Sequence, residues 1–80
     1  MKGVTDMDVS AIGRAIRACR KEKKLTLEVV SGLAGIDRAH LTRIETGEYI
    51  PKMDTFFKIA TALNIPPAQL VERIDKAQQE

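Results

Sequence analysis

Residues 41–47 of this 80-residue chain read LTRIETG, and two kinds of chemistry share that short helical pattern. At about 100° per residue, Leu41, Ile44 and Glu45 fall on one face, while Thr42, Arg43 and Thr46 fall on the other. Ala39 joins the second face, with Arg38 and His40 at its edges. The outward set carries side chains that read base edges. Arginine bridges guanine O6 and N7, threonine bonds a base edge or touches a thymine methyl, and alanine sits against that methyl. The inward set contains an anomaly, because a carboxylate turned toward a core is costly unless it is paired and hydrogen-bonded. A guanidinium is the partner suited to hold it at two points. Arg20 lies at the edge of the apolar face of an upstream helix, where a long side chain can reach inward.

Other chemistries find no constellation to work with. One histidine, one cysteine and no carboxylates clustered around a nucleophile give no enzyme mechanism to build on. His40 reads as an exposed polar residue; with no second histidine or cysteine at ligand spacing it makes no metal site, and neither a cofactor nor a small-molecule ligand is implied. Cys19 falls on an apolar helix face and reads as a small core hydrophobe. No apolar run approaches a membrane span, and the N-terminus lacks the order of a signal peptide, so the expected location is cytoplasmic. Charged residues are 30% of the chain but the net charge is only +2, so contact with nucleic acid must rest on a local patch.

The elements that must position these residues are helices. The apolar fraction is 44% with only three aromatic residues, so the core is built from Leu, Ile, Val, Met and Ala, which favours helix packed on helix. Val9, Ile12, Ile16 and Cys19 give a first helix over residues 8–23, with Arg14, Arg17, Lys21 and Lys24 as a solvated basic stripe behind them. Thr26 is an N-cap for a second helix that ends at Gly35; Ile36 plugs the corner and Asp37 caps a third helix from Arg38 to about Thr46. Met53, Phe56, Ala60 and Leu63 mark one face of a fourth helix, ended by Asn64. Pro66-Pro67 permits a fifth, with Leu70, Val71 and Ile74 on its apolar side. Residues 1–7 and 76–80 read as tails around one domain at 8–75.

From Ile16 to Leu70, about two thirds of the chain, the sequence resembles the lambda-repressor-like, Cro/C1-type (XRE-type) helix-turn-helix family. The matching elements are Arg20 five residues before Leu25, Leu25-Thr26 opening helix 2, Ala34-Gly35-Ile36 at the turn and LTRIETG. A proline four residues past that glycine, KIATAL and a closing Leu70 complete the match. The resemblance implies an all-α, compact five-helix domain whose helix-turn-helix, residues 27–46, is formed by helices 2 and 3. It also implies that the inward acid, Glu45, pairs with Arg20 as a structural link between helices 1 and 3.

For function, the resemblance implies a sequence-specific DNA-binding transcriptional regulator, a repressor acting as a homodimer on double-stranded DNA with helix 3 in the major groove. Base contacts carry over to Arg38, Ala39, His40, Thr42 and Arg43. Phosphate contacts are expected from Thr26, Leu27 and Asp37 at the N-termini of helices 2 and 3, whose free amides suit anions, and from Lys52. Phe57, Ile65, Pro66, Leu70, Val71 and Ile74 are the expected dimer interface. The chain departs from the family at Leu27, where a backbone-contacting glutamine is frequent, and at Val29 and Leu33, positions often polar. Two alternatives therefore stand beside the main reading: an antitoxin, phage-type or restriction-modification controller regulator, and a protein-interaction module that has lost DNA binding.

Overall fold

A computed structural model describes residues 8–79, which form five helices: α1 (Ser10–Glu22), α2 (Leu27–Ala34), α3 (Arg38–Glu45), α4 (Met53–Ala62) and α5 (Pro67–Gln79). The expected tail at 1–7 lies outside the described residues. Asp8 starts α1, its Oδ1 accepting both the backbone N–H of Ser10 at 3.0 Å and the Ser10 hydroxyl at 2.6 Å. Those Ser10 bonds, more than the nearby Arg14, hold the Asp8 carboxyl below its ordinary range. Thr26 caps α2 by accepting from the Val29 N–H at 3.1 Å. Asp37 occupies the N-cap position of α3, but its side chain makes no capping hydrogen bond.

One stop signal ends α1 to α4. A residue in left-handed conformation follows each helix: Lys24 (φ 57°), Gly35 (φ 70°), Gly47 (φ 85°) and Asn64 (φ 59°). The next N–H then reaches back five residues, Leu25 to Arg20, Ile36 to Ser31, Glu48 to Arg43 and Ile65 to Ala60, which satisfies orphan carbonyls as in a Schellman motif. Leu25, Ile36 and Ile65 pack on or in the core from these corners, whereas Glu48 stays in solvent. Lys24 is the one of the four that is neither glycine nor asparagine, the residue types that take positive φ most readily. Lys24→Gly should therefore raise the urea midpoint, stabilising the fold by about 0.5–1 kcal/mol after glycine's own entropy cost.

The core runs through all five helices, with Ile16, Cys19, Val30, Leu41, Ile44, Ile59, Leu63 and Leu70 fully buried. α1 packs against α3 and α5, and α2 against α3 and α4. The first apolar stripe is wider and shifted from the expectation: Ala11 and Ala15 join it, and Val9 is exposed. The face of α4 also differs. Phe56, Ile59, Ala60 and Leu63 are buried while Met53 is 73% exposed, because the inward face does not extend to the helix's first residue. Gly13 lets α1 approach the end of α3, since a Cβ there would fall on the carbonyl oxygen of Ile44 and 2.8 Å from the carbonyl carbon of Glu45.

The expected tail at 76–80 is corrected, because α5 continues to Gln79. Ala77 packs against the core and its carbonyl accepts from Arg14 Nη2 at 3.1 Å, while Gln78 Oε1 accepts the Asp8 N–H at 3.2 Å. Arg14 thus belongs to the α1–α5 seam and not to a free basic stripe. Arg73 adds a two-point bond from α5 to Glu22 of α1, both contacts at 2.9 Å. The Arg73 guanidinium holds the Glu22 carboxyl below the ordinary glutamate range. A depressed acid stabilises above its unfolded pKa and loses that contribution as pH falls through the folded value. Glu22→Gln should lower stability near pH 7 and leave it little changed well below pH 4.5, so that its acid-unfolding curve is flatter than the wild type's.

Candidate nucleic-acid interface

The solvent face of α3 is defined by what holds its other face. Leu41 and Ile44 are fully buried, and Glu45 and Arg20 are each only 8% exposed. Arg20 Nε donates to Glu45 Oε2 at 2.8 Å and Nη2 to Oε1 at 3.0 Å, while Nη1 donates to the Leu25 carbonyl at 2.9 Å. The hydrogen bonds it donates to Glu45 outweigh burial and hold the Arg20 guanidinium more firmly protonated than usual. One buried ion pair therefore joins α1 to α3, and the Leu25 carbonyl ties the same guanidinium to the corner entering α2.

Arg38, Ala39, Thr42, Arg43, Thr46 and Glu48 line one shallow depression on the outer side. Thr42 Oγ1 donates to the Arg38 carbonyl at 3.0 Å and Thr46 Oγ1 to the Arg43 carbonyl at 3.1 Å. With the proton used inside the helix, each threonine offers an incoming base an acceptor lone pair and a methyl. His40 is separated from this set. It is half-buried against Tyr49, ring centroids 5.7 Å apart, and lines a second hollow with Glu48, Tyr49, Ile50, Lys52 and Thr55. Lys52 thus shares a hollow with His40 and not with the four other base-reading candidates.

Two acids that helical spacing does not assign to the site lie among these cations. Glu28, in the first turn of α2, is 3.8 Å from Arg38 Nη1, and Glu48 is 4.0 Å from Arg43 Nε. Asp37 is exposed at the start of α3. The Glu28 and Glu48 carboxylates partly offset Arg38 and Arg43 before any ligand arrives. Tyr49 was also missed, although the Arg43 guanidinium carbon lies 5.6 Å from its ring centroid. Spacing from i to i+5 or i+6 across a helix end gives no periodic signal, whereas a charge of each sign five residues apart around Gly47 was the available hint.

At the other expected positions, the Leu27 side chain packs on the core, leaving its backbone N–H at the α2 N-terminus beside the Thr26 cap. The expected dimer set needs correction. Ile65, Leu70 and Ile74 are buried in the chain's own core and have little surface to give a partner, while Phe57, Pro66 and Val71 are exposed. Among the described residues no helix is long and apolar enough to cross a membrane, and no group of His, Cys, Asp or Glu could hold a metal.

The sequence matches a family model described as helix-turn-helix over residues 16–70. It is 39% identical over 59 residues, 72% of this chain and 44% of the relative, to the HTH-type transcriptional repressor RghR of Bacillus subtilis (strain 168). It is 37% identical over 60 residues, 75% of this chain and 42% of the relative, to the immunity repressor protein of Bacillus phage phi105. The chain therefore spans less than half the length of either curated relative. The crystal structure of the restriction-modification controller protein C.AhdI from Aeromonas hydrophila superposes with a TM-score of 0.76 at 33% identity, covering 79% of this chain and 96% of that one.

Proposed function

This chain belongs to the Cro/C1-type helix-turn-helix family, and from that premise we propose that it is a sequence-specific DNA-binding transcriptional regulator. It represses by binding a two-fold related operator as a homodimer, in the cytoplasm and without catalysis of its own. The observation that carries this reading is the division of α3. Arg38, Ala39, Thr42 and Arg43 share an open surface on a helix whose opposite side is fixed by the buried Arg20–Glu45 pair. A rigid helix with donors, acceptors and methyls outward is what major-groove reading requires. One eight-residue helix reaches few base pairs, so two copies about one helical turn apart supply the specificity. Phe57, Pro66 and Val71 are the residues of the expected interface left with surface to bring those copies together.

Phosphate contacts are assigned to Lys52 and to the backbone N–H groups at the starts of α2 and α3, around Thr26-Leu27 and Asp37. Selection of the purified protein on a random DNA library tests the whole reading. An enriched palindrome is expected, and a pool that stays random would sink it. Arg43→Ala should relax base preference at one position per half-site and weaken operator binding by about 1–3 kcal/mol, measured by titration against the selected sequence and its single-base variants. Relatives of both repressor and controller type leave the biological setting open to a phage-type, restriction-modification or antitoxin role. A protein-interaction module is the second reading, favoured by Val29 and Leu33, which are 45% and 68% exposed on α2. Salt separates the two. Phosphate-driven binding falls steeply between about 50 and 200 mM salt, and apolar docking does not.

A further inference from the structure

We propose, on the reading of α3 as the base-reading helix, that Glu48 and Tyr49 are positioning residues that set the base preference of Arg43. Both backbone N–H groups donate to the Arg43 carbonyl, Glu48 at 2.9 Å and Tyr49 at 3.1 Å. The loop is therefore pinned to the residue whose side chain it flanks. The Arg43 guanidinium carbon lies 5.6 Å from the Tyr49 ring centroid, within reach of a cation–π contact. The same ring also neighbours His40, centroids 5.7 Å apart and tilted by 44°. Glu48 Oε2 is 4.0 Å from Arg43 Nε. The ring constrains where the guanidinium lies, and a carboxylate on the Nε side leaves the Nη1/Nη2 edge to span O6 and N7 of a guanine.

The same carboxylate opposes the alternative use of Arg43. A guanidinium that turned to a phosphate would draw that phosphate toward Glu48, and the two anions repel. Glu48 is also the exception among the four helix stops. Leu25, Ile36 and Ile65 pack inward from the equivalent place, and here a charged residue stays over the reading face. The pair acts as a filter: it keeps Arg43 ready for a flat, two-acceptor base edge and makes sequence-independent backbone contact less favourable.

Competition binding tests this, using the selected operator and a copy substituted at the base that Arg43 reads, with wild type, Arg43→Ala, Tyr49→Leu, Tyr49→Phe and Glu48→Gln. Tyr49→Leu should reduce discrimination between the two sequences about two- to fivefold, the worth of an exposed cation–π contact, and Glu48→Gln by up to about fivefold, the worth of an exposed ion pair. Tyr49→Phe should retain it. Glu48→Gln should also bind unrelated DNA more tightly, with a salt slope steeper by about one phosphate contact. Discrimination unchanged in Tyr49→Leu and Glu48→Gln, or weakening equal for all sequences, overturns the proposal while Arg43→Ala still shows Arg43 reading a base. If Arg43→Ala itself leaves base preference intact, the assignment of Arg43 has failed and the filter with it.

Discussion

Glu45→Ala should lower the unfolding free energy by about 3–5 kcal/mol, the usual cost of removing one partner of a buried ion pair. The variant removes both carboxylate contacts from Arg20, a buried residue in the native fold, and leaves the Leu25 carbonyl as the one remaining hydrogen-bond acceptor of its guanidinium. A desolvated cation cannot shed its proton to escape, because arginine stays charged at any working pH. A domain of this size has a total stability on the order of 5–10 kcal/mol, so urea titration should find that the variant has lost a large part of it and unfolds at a much lower midpoint. A loss under about 1 kcal/mol would place the pair among water-exposed bridges and contradict its burial. The matching control is the double variant Arg20→Met with Glu45→Leu. Replacing both charges by apolar groups of similar volume is often neutral, so it should recover much of the stability that Glu45→Ala loses.

The pair was legible in the sequence because helical spacing alone puts Glu45 beside Leu41 and Ile44, and a buried carboxylate demands a cation. The turn was legible for a similar reason: Gly35 and Ile36 carry local conformational preferences that need no tertiary context. The left-handed stop at Lys24 was not, since lysine carries no preference for it and the conformation is imposed by Leu25 seating on the core. The end of α5 was missed because its last turn is held from a distance, by Arg14 and Asp8. The burial of three residues of the expected interface in the chain's own core was illegible on the same ground. Ile65, Leu70 and Ile74 are apolar, and periodicity cannot say whether such a stripe faces its own chain or another. At the candidate site, the types on α3 were readable, but the opposing Glu28 and Glu48 arrive from other elements.

Gly13→Ala should lower stability by about 3 kcal/mol, near the upper end of overpacking costs, although local rules give the opposite sign. Within a helix interior alanine is better than glycine by about 1 kcal/mol, and Gly13 lies inside α1. What reverses the sign is the neighbour. A Cβ at Gly13 meets backbone, the carbonyls of Ile44 and Glu45, and a backbone cannot rotate aside as a side-chain end would. α1 must then separate from the end of α3, and the Arg20–Glu45 bonds that join those two helices are stretched by the same movement. Gly32 supplies the internal comparison: it is exposed in α2, and a Cβ there meets nothing within 4 Å. Gly32→Ala should stabilise by up to about 1 kcal/mol, so the two glycines should respond with opposite signs in the same denaturation assay. Matching shifts at both positions would mean that helix propensity alone governs them and that α1 and α3 are not in backbone contact.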